Sequence, residues 1–195
     1  PSQLPESQLN GIDFAEPEIL RTLSVSFGQS RFWFLKHFVS DQTAFNITTV
    51  IKLRGTFDKD SLAQAVVAVG QRHEALRTAV FTDQETNEHK QAILSQAVLE
   101  LELKNIADET EVESAKQDLK NYVYDLSRGE SIRIQLLSTT ESDHWLLLGY
   151  HHINMDGVGY LILLSDLEKA YRGRLNVSPD NVLQYPDFTV RQSNE

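Results

Sequence analysis

A chain of 195 residues, 41% hydrophobic and 24% charged, has the length and balance of one globular domain, which excludes a disordered segment or a coiled coil. Eighteen basic against 28 acidic side chains leave a net charge of −10, which repels phosphate backbones and anionic lipid, so neither nucleic acid nor membrane is an expected partner. Cysteine is absent, which removes disulfides, thiol nucleophiles and cysteine-based zinc sites.

All five prolines stand near the ends, at Pro1, Pro5, Pro17, Pro179 and Pro186. The proline-free stretch 18–178 therefore reads as one ordered body between irregular flanks, and residues 1–23 as a linker that enters it. Ser26 is a candidate cap for a helix carrying Phe32, Trp33, Leu35 and Phe38. Ile47, Thr49, Ile51 and Leu53 alternate with Thr48, Val50 and Lys52 in a strand pattern. Asp58 caps a second helix, with Leu62, Ala65, Val66 and Val69 at helical spacing. Leu76–Phe81 reads as a strand, 82–88 as a polar turn, and 91–94 with 98–103 as a hairpin or two adjacent strands. Asp108, Glu109, Glu111 and Glu113 suit the start of a helix whose apolar face is Val112, Ala115, Leu119, Tyr122 and Val123.

Ser131–Ser138 and His144–Tyr150 are expected strands around the turn 139–143, followed by a helix over about 158–172. Val182, Leu183, Tyr185 and Phe188 give the tail anchors for packing. This order favours an α/β sandwich with a mixed sheet and flanking helices. Apolar runs such as Trp145–Leu148 and Val158–Leu164, with Gly159 inside, are far too short to span a bilayer. No charged-then-apolar leader opens the chain, so a cytoplasmic location is expected.

The candidate chemistry lies in Tyr150-His151-His152-Ile153-Asn154-Met155-Asp156-Gly157, where an apolar strand ends and a helix begins. Such a junction places side chains at the carboxyl end of a strand beside free helix N–H groups. A histidine can take a proton near neutrality and return it. Asp156 is suited to locking the loop by an arginine pair, and Gly157 to close backbone approach or donation to an oxyanion. His-His-x-x-x-Asp-Gly arises by chance in roughly a few chains per ten thousand of this length. Adjacent histidines on a strand point to opposite faces, and His-Glu-x-x-His is absent, so no metal site is expected.

This loop resembles the core motif of the condensation domains of nonribosomal peptide synthetases, including hybrid polyketide–peptide synthases. Ser26-Phe27-Gly28-Gln29-Ser30-Arg31-Phe32-Trp33-Phe34-Leu35 resembles the opening signature of that family. Arg72-His73-Glu74-Ala75-Leu76-Arg77-Thr78 is similar to its second signature, although Val80 stands where phenylalanine is usual. Tyr124–Gly129 and Gln184–Phe188 extend the likeness, which runs from about residue 24 to 191.

The resemblance implies a chloramphenicol-acetyltransferase-like, two-layer sandwich lobe, the N-terminal one of two, occupying 24–195, with the C-terminal lobe absent. It implies amide formation between substrates carried as thioesters on phosphopantetheine arms of acyl or peptidyl carrier domains, and no cofactor bound directly. The expected catalytic residue is His152. His151, Asp156, Gly157, Arg72 and Arg77 are expected to support it, with Arg72 the favoured partner of a buried Asp156 and Arg77 or Arg31 the alternatives. The aromatic cluster Phe32, Trp33, Phe34 and Phe38 reads as packing. Related readings are an epimerisation domain, a coenzyme A-dependent acyltransferase lobe, and a noncatalytic docking module.

Overall fold

Among the described residues, seven strands divide between two sheets, and the motif loop lies where the second sheet ends. The computed structural model describes residues 17–178 and 183–192. In chain order the elements are β1 Ile19–Ser24, α1 Phe27–Phe38, β2 Asn46–Arg54, α2 Lys59–Arg72, β3 Thr78–Thr82, β4 His89–Leu94, β5 Leu101–Asn105, α3 Thr110–Lys120, β6 Ile132–Ser138, β7 Asp143–His151, α4 Gly157–Tyr171 and α5 Tyr185–Gln192. The first sheet has the order β1-β4-β3 and is antiparallel. The second has the order β2-β7-β6-β5 and is mixed, because β5 runs parallel to β6 while β2 and β6 flank β7 antiparallel.

Strand β7 is the spine, because successive side chains alternate and both of its faces are covered. Leu146, Leu148 and Tyr150 pack with Leu62, Ala65, Val66 and Val69 of α2 and Leu163 and Leu167 of α4. Trp145 and Leu147 pack on the other face against Val112, Ala115 and Leu119 of α3. Full burial of side chains of this size contributes about 1.5–3 kcal/mol each. Gly149 is needed where the segment after α3 crosses the strand. A Cβ there would meet the Tyr124 hydroxyl at 2.8 Å and Leu119 Cβ at 3.1 Å.

Local chemistry explains the helix starts. Ser26 and Gln29 form a reciprocal capping box at α1, and Asp58 accepts from Asp60 N at 3.1 Å and Ser61 N at 3.0 Å at α2. No described helix is long and apolar enough to cross a membrane.

Four expectations need correction. The linker does not reach residue 23, because Ile19–Ser24 form β1, paired with β4 and tied by Arg21 to Glu74 and to Asp187; residues 1–16 lie outside the described residues. The strand expected from Leu76 starts at Thr78, because a 3₁₀ turn occupies Glu74–Arg77 and the Thr78 hydroxyl donates to Glu74 O at 2.6 Å. The segments 91–94 and 98–103 are not neighbours. β4 lies in the first sheet, while β5 pairs with β6 through α3, a parallel βαβ unit. Finally, α3 stops at Lys120, and Tyr122 packs edge-on against Tyr124 instead of extending the helix. The tail does pack, as α5, but through Pro186, Thr189 and Gln184; Leu183, Tyr185 and Phe188 stay exposed, and Val182 lies outside the described residues.

Candidate active site

Strand β7 delivers two adjacent histidines into different surroundings. Backbone bonds hold them: His151 N donates to Ser131 O and His152 N to Phe45 O, each at 2.9 Å. His151 is buried at 3% exposure, and its Nδ1 accepts from Ile153 N at 3.1 Å. That bond assigns the proton of the neutral ring to Nε2. Burial first, then the Lys36 and His152 charges, push its pKa down to about 4. His151 is thus neutral at physiological pH and a weak base.

His152 is only half-buried. Its ring lies nearly parallel to Phe32, with centroids 5.1 Å apart and planes at 19°. Phe45 closes the cluster, edge-on to Phe32 at 5.3 Å and to His151 at 6.1 Å. Neutral, hydrogen-bonded and enclosed, the first histidine suits a structural role. The second is left partly exposed.

The rest of the loop anchors in three directions. Ile153 is buried with Trp33, Val80, Tyr124 and Leu126, and Met155 joins the core between α2 and α4. Asn154 donates to Thr78 O at 3.1 Å and accepts from Gln29 Nε2 at 3.3 Å. Asp156 caps α4, its Oδ1 accepting from Gly159 N at 2.8 Å. Nothing described lies within 4 Å of where a Cβ would stand at Gly157, so the start of α4 faces open space.

The expected ion pair of a buried Asp156 with an arginine is not formed. Asp156 is exposed, and Arg72 instead places Nε 3.1 Å from Asp166 Oδ2. His73 Nε2 meets the same oxygen at 2.9 Å, and Lys169 Nζ lies 2.7 Å from Oδ1. Burial pushes the Asp166 carboxyl up, but the hydrogen bonds from Lys169 and His73 outweigh it and hold its pKa below the ordinary value. Asp166 stands ten residues beyond Asp156, about 15 Å along α4, because the end of α2 meets the middle of that helix. Arg77 is buried elsewhere, donating to Leu94 O with Nη2 3.6 Å from Glu74, and Arg31 is exposed on α1.

The fold therefore gathers His151, His152, Asp156 and Gly157 at one junction, while Arg72 and Arg77 brace the scaffold at a distance. Sequence reasoning missed the contacts of Gln29, Phe32 and Phe45 with this loop, and the bond that Asn154 donates to Thr78 O. Only Gln29 carried a local signal, the Ser-x-x-Gln capping box. A cleft of about 460 Å³ lined by Phe57, Lys59, Ser138 and His144 lies at the opposite end of β7. That end is about 24 Å from His151 at strand rise. Among the described residues, no group of three or more His, Asp or Glu side chains is assembled as a metal site requires.

A family profile described as Condensation domain matches residues 19–195. The PKS-NRPS hybrid synthetase cheA of Chaetomium globosum is 48% identical over 177 residues, covering 91% of this chain and 4% of that protein. The polyketide synthase-nonribosomal peptide synthetase ffsA of Aspergillus flavipes is 49% identical over 175 residues, covering 90% and 4%. The chain thus spans a small fraction of these relatives. The structure of the condensation domain from Monacolin K polyketide synthase MokA superimposes with TM-score 0.82 at 24% identity, covering 90% of this chain and 39% of that one. The X-domain solved with OxyB from teicoplanin biosynthesis gives 0.73 at 24%, covering 92% and 40%. These likenesses establish the fold, an α/β lobe of the chloramphenicol-acetyltransferase type.

Proposed function

The chain belongs to the condensation-domain family, and on that premise we propose that it supplies the histidine-bearing lobe of an enzyme joining two thioester substrates through an amide bond. The donor is an acyl chain, polyketide or peptidyl, carried as a thioester on phosphopantetheine. The acceptor is the free amine of an aminoacyl thioester on a second carrier domain. The names of the hybrid synthetase relatives support a polyketide donor. The carrier domains and the remainder of the domain are the partners of this chain.

The amine nitrogen attacks the donor carbonyl, a C–N bond forms, and the carbonyl oxygen carries negative charge in the tetrahedral intermediate. The C–S bond then breaks and the thiolate leaves. His152 hydrogen-bonds the attacking amine, takes its proton and returns it to the departing sulfur, so protons balance over the cycle. Holding both thioesters together supplies a large share of the acceleration. His151 and Asp156 hold the loop, Gly157 leaves the start of α4 open, and Arg72 and Arg77 hold the body beneath it.

One observation carries this reading: of two adjacent histidines, His151 is sealed and neutral while His152 presents its ring at the end of the buried strand. The experiment is mass spectrometry of acyl- and aminoacyl-loaded carrier proteins incubated with the intact domain. Amide on the acceptor carrier is the expected product. Inversion at the α-carbon without amide would make it an epimerisation domain, and consumption of coenzyme A thioester alone a free-standing type of acyltransferase. Carrier binding with no chemistry would make it a docking module.

A further inference from the structure

Gln29 and Phe32 stand three residues apart on α1, on one face of the helix, and both meet the loop that carries His152. Ser26 fixes the start of that face. Its hydroxyl accepts from Gln29 N at 3.0 Å, while Gln29 Oε1 accepts from Ser26 N at 2.9 Å. The Gln29 amide is thereby oriented, and Nε2 donates to Gln91 Oε1 at 3.2 Å and to Asn154 Oδ1 at 3.3 Å. Asn154, two residues after His152, donates onward to Thr78 O at 3.1 Å. Gln91 donates to Ser24 O at 2.9 Å and Thr189 Oγ1 at 3.3 Å. Both amide hydrogens of Gln29 and of Gln91 are used, in a site where these two side chains are 1% and 0% exposed. A network so fully paired tolerates little displacement.

One turn along α1, Phe32 lies against the His152 imidazole, with Phe45 edge-on behind it. The two contacts restrain different motions. The Asn154 clamp sets where the loop backbone sits, and the stack sets the plane in which the imidazole can turn.

We infer that Gln29 and Phe32 are positioning residues for His152, with α1 as the template that fixes both the place and the plane of the ring. This rests on the proposed role of His152 toward the amine. Glutamate at position 29 keeps the shape but loses the N–H group, so its oxygen would face the Gln91 and Asn154 acceptors without a hydrogen between them. Leucine at position 32 keeps apolar bulk but has no ring plane.

The test uses the intact domain containing this chain, with Gln29→Glu, Phe32→Leu and Phe32→Tyr. For the first two, kcat for amide formation is expected to fall about tenfold to hundredfold, as misplacement of a reacting group costs. KM for either carrier-bound substrate should stay within about twofold. Phe32→Tyr should retain kcat. In NMR spectra with ¹³C-labelled histidine rings, Phe32→Leu should remove the ring-current displacement of the His152 signals, and Phe32→Tyr should keep it. Unchanged kcat or unmoved His152 signals in Phe32→Leu would overturn the inference, as would Phe32→Tyr behaving like Phe32→Leu, or a loss confined to KM. The Phe32 pair decides the matter even if Gln29→Glu does not fold. Full activity in His152→Ala would remove the functional reading instead, while the His152 signals would still report on positioning.

Discussion

Arg72 and His73 at the end of α2 share one oxygen of Asp166, at 3.1 and 2.9 Å, and so join α2 to the middle of α4. Asp166 is 4% exposed, so removing its charge leaves the half-buried Arg72 guanidinium without its carboxylate and His73 without its charged acceptor. Asp166→Asn should cost about 1.5–3 kcal/mol, the range for hydrogen bonds to a charged group. Asp156→Ala, which removes only a helix cap, should cost about 0.5–2 kcal/mol. Urea unfolding of the two variants measures this. Equal losses, or a larger one at Asp156, would return the supporting ion pair to the motif loop.

His151 makes stability depend on pH. Its folded pKa of about 4 lies below the ordinary 6.5, so between these values the unfolded chain binds more protons and stability rises with pH. Lowering the pH from 7.5 to 5 should cost about 2 kcal/mol through this ring. His73, whose pKa burial lowers despite Asp166, adds in the same direction. The lowered pKa of Asp166 acts only at lower pH, below the ordinary carboxylate range. His151→Gln should flatten the slope between pH 7.5 and 5. An unchanged slope would show that His151 takes up protons freely in the folded state.

What the sequence made legible was local. Ser26 and Asp58 announce helices through side chains bonding backbone two or three residues on, and the alternation over 47–53 and the apolar run before His151 announce β2 and β7. Pairings between distant segments carry no such mark. Nothing local to residues 91–103 says that β4 and β5 separate into two sheets, and β1 hides because Ile19 and Leu20 at its start are both exposed. The His-His-x-x-x-Asp-Gly junction was legible because its residues are contiguous. The partner of Arg72 was not, because Asp156 and Asp166 are both plausible carboxylates until packing chooses between them. Phe32 reads as core in sequence, and only the fold brings its ring to His152.

Gly149 and Tyr124 form a steric pair whose coupling can be measured. Gly149→Ala should cost about 1–3 kcal/mol by overpacking against the Tyr124 hydroxyl and Leu119. That hydroxyl is buried without a hydrogen-bond partner among the described residues, so Tyr124→Phe alone should be close to neutral. The double variant should recover part of the Gly149→Ala loss. Strict additivity in a double-mutant cycle would show that the alanine clashes elsewhere.

This chain covers 39% of the condensation domain it superimposes on, and on the proposed reading the rest of that domain forms part of the substrate site. Tested by itself against loaded carrier proteins, it should form amide at less than about one-hundredth of the rate of the intact domain, because neither thioester is held near attack distance. Comparable rates would show that this lobe alone positions both substrates.

The two histidines should separate cleanly in the intact domain. His152 is half-buried against Phe32 and is the ring proposed to meet the amine, so His152→Ala should lower amide formation about a hundredfold to ten-thousandfold, the range of general acid–base help. His151 accepts from Ile153 N and is neutral, so its replacement acts through the loop it braces. His151→Gln should keep more activity than His152→Ala while losing more stability. A loss of only a few-fold at His152 would leave positioning of the thioesters as the main source of rate. A larger activity loss at His151 than at His152 would exchange their roles.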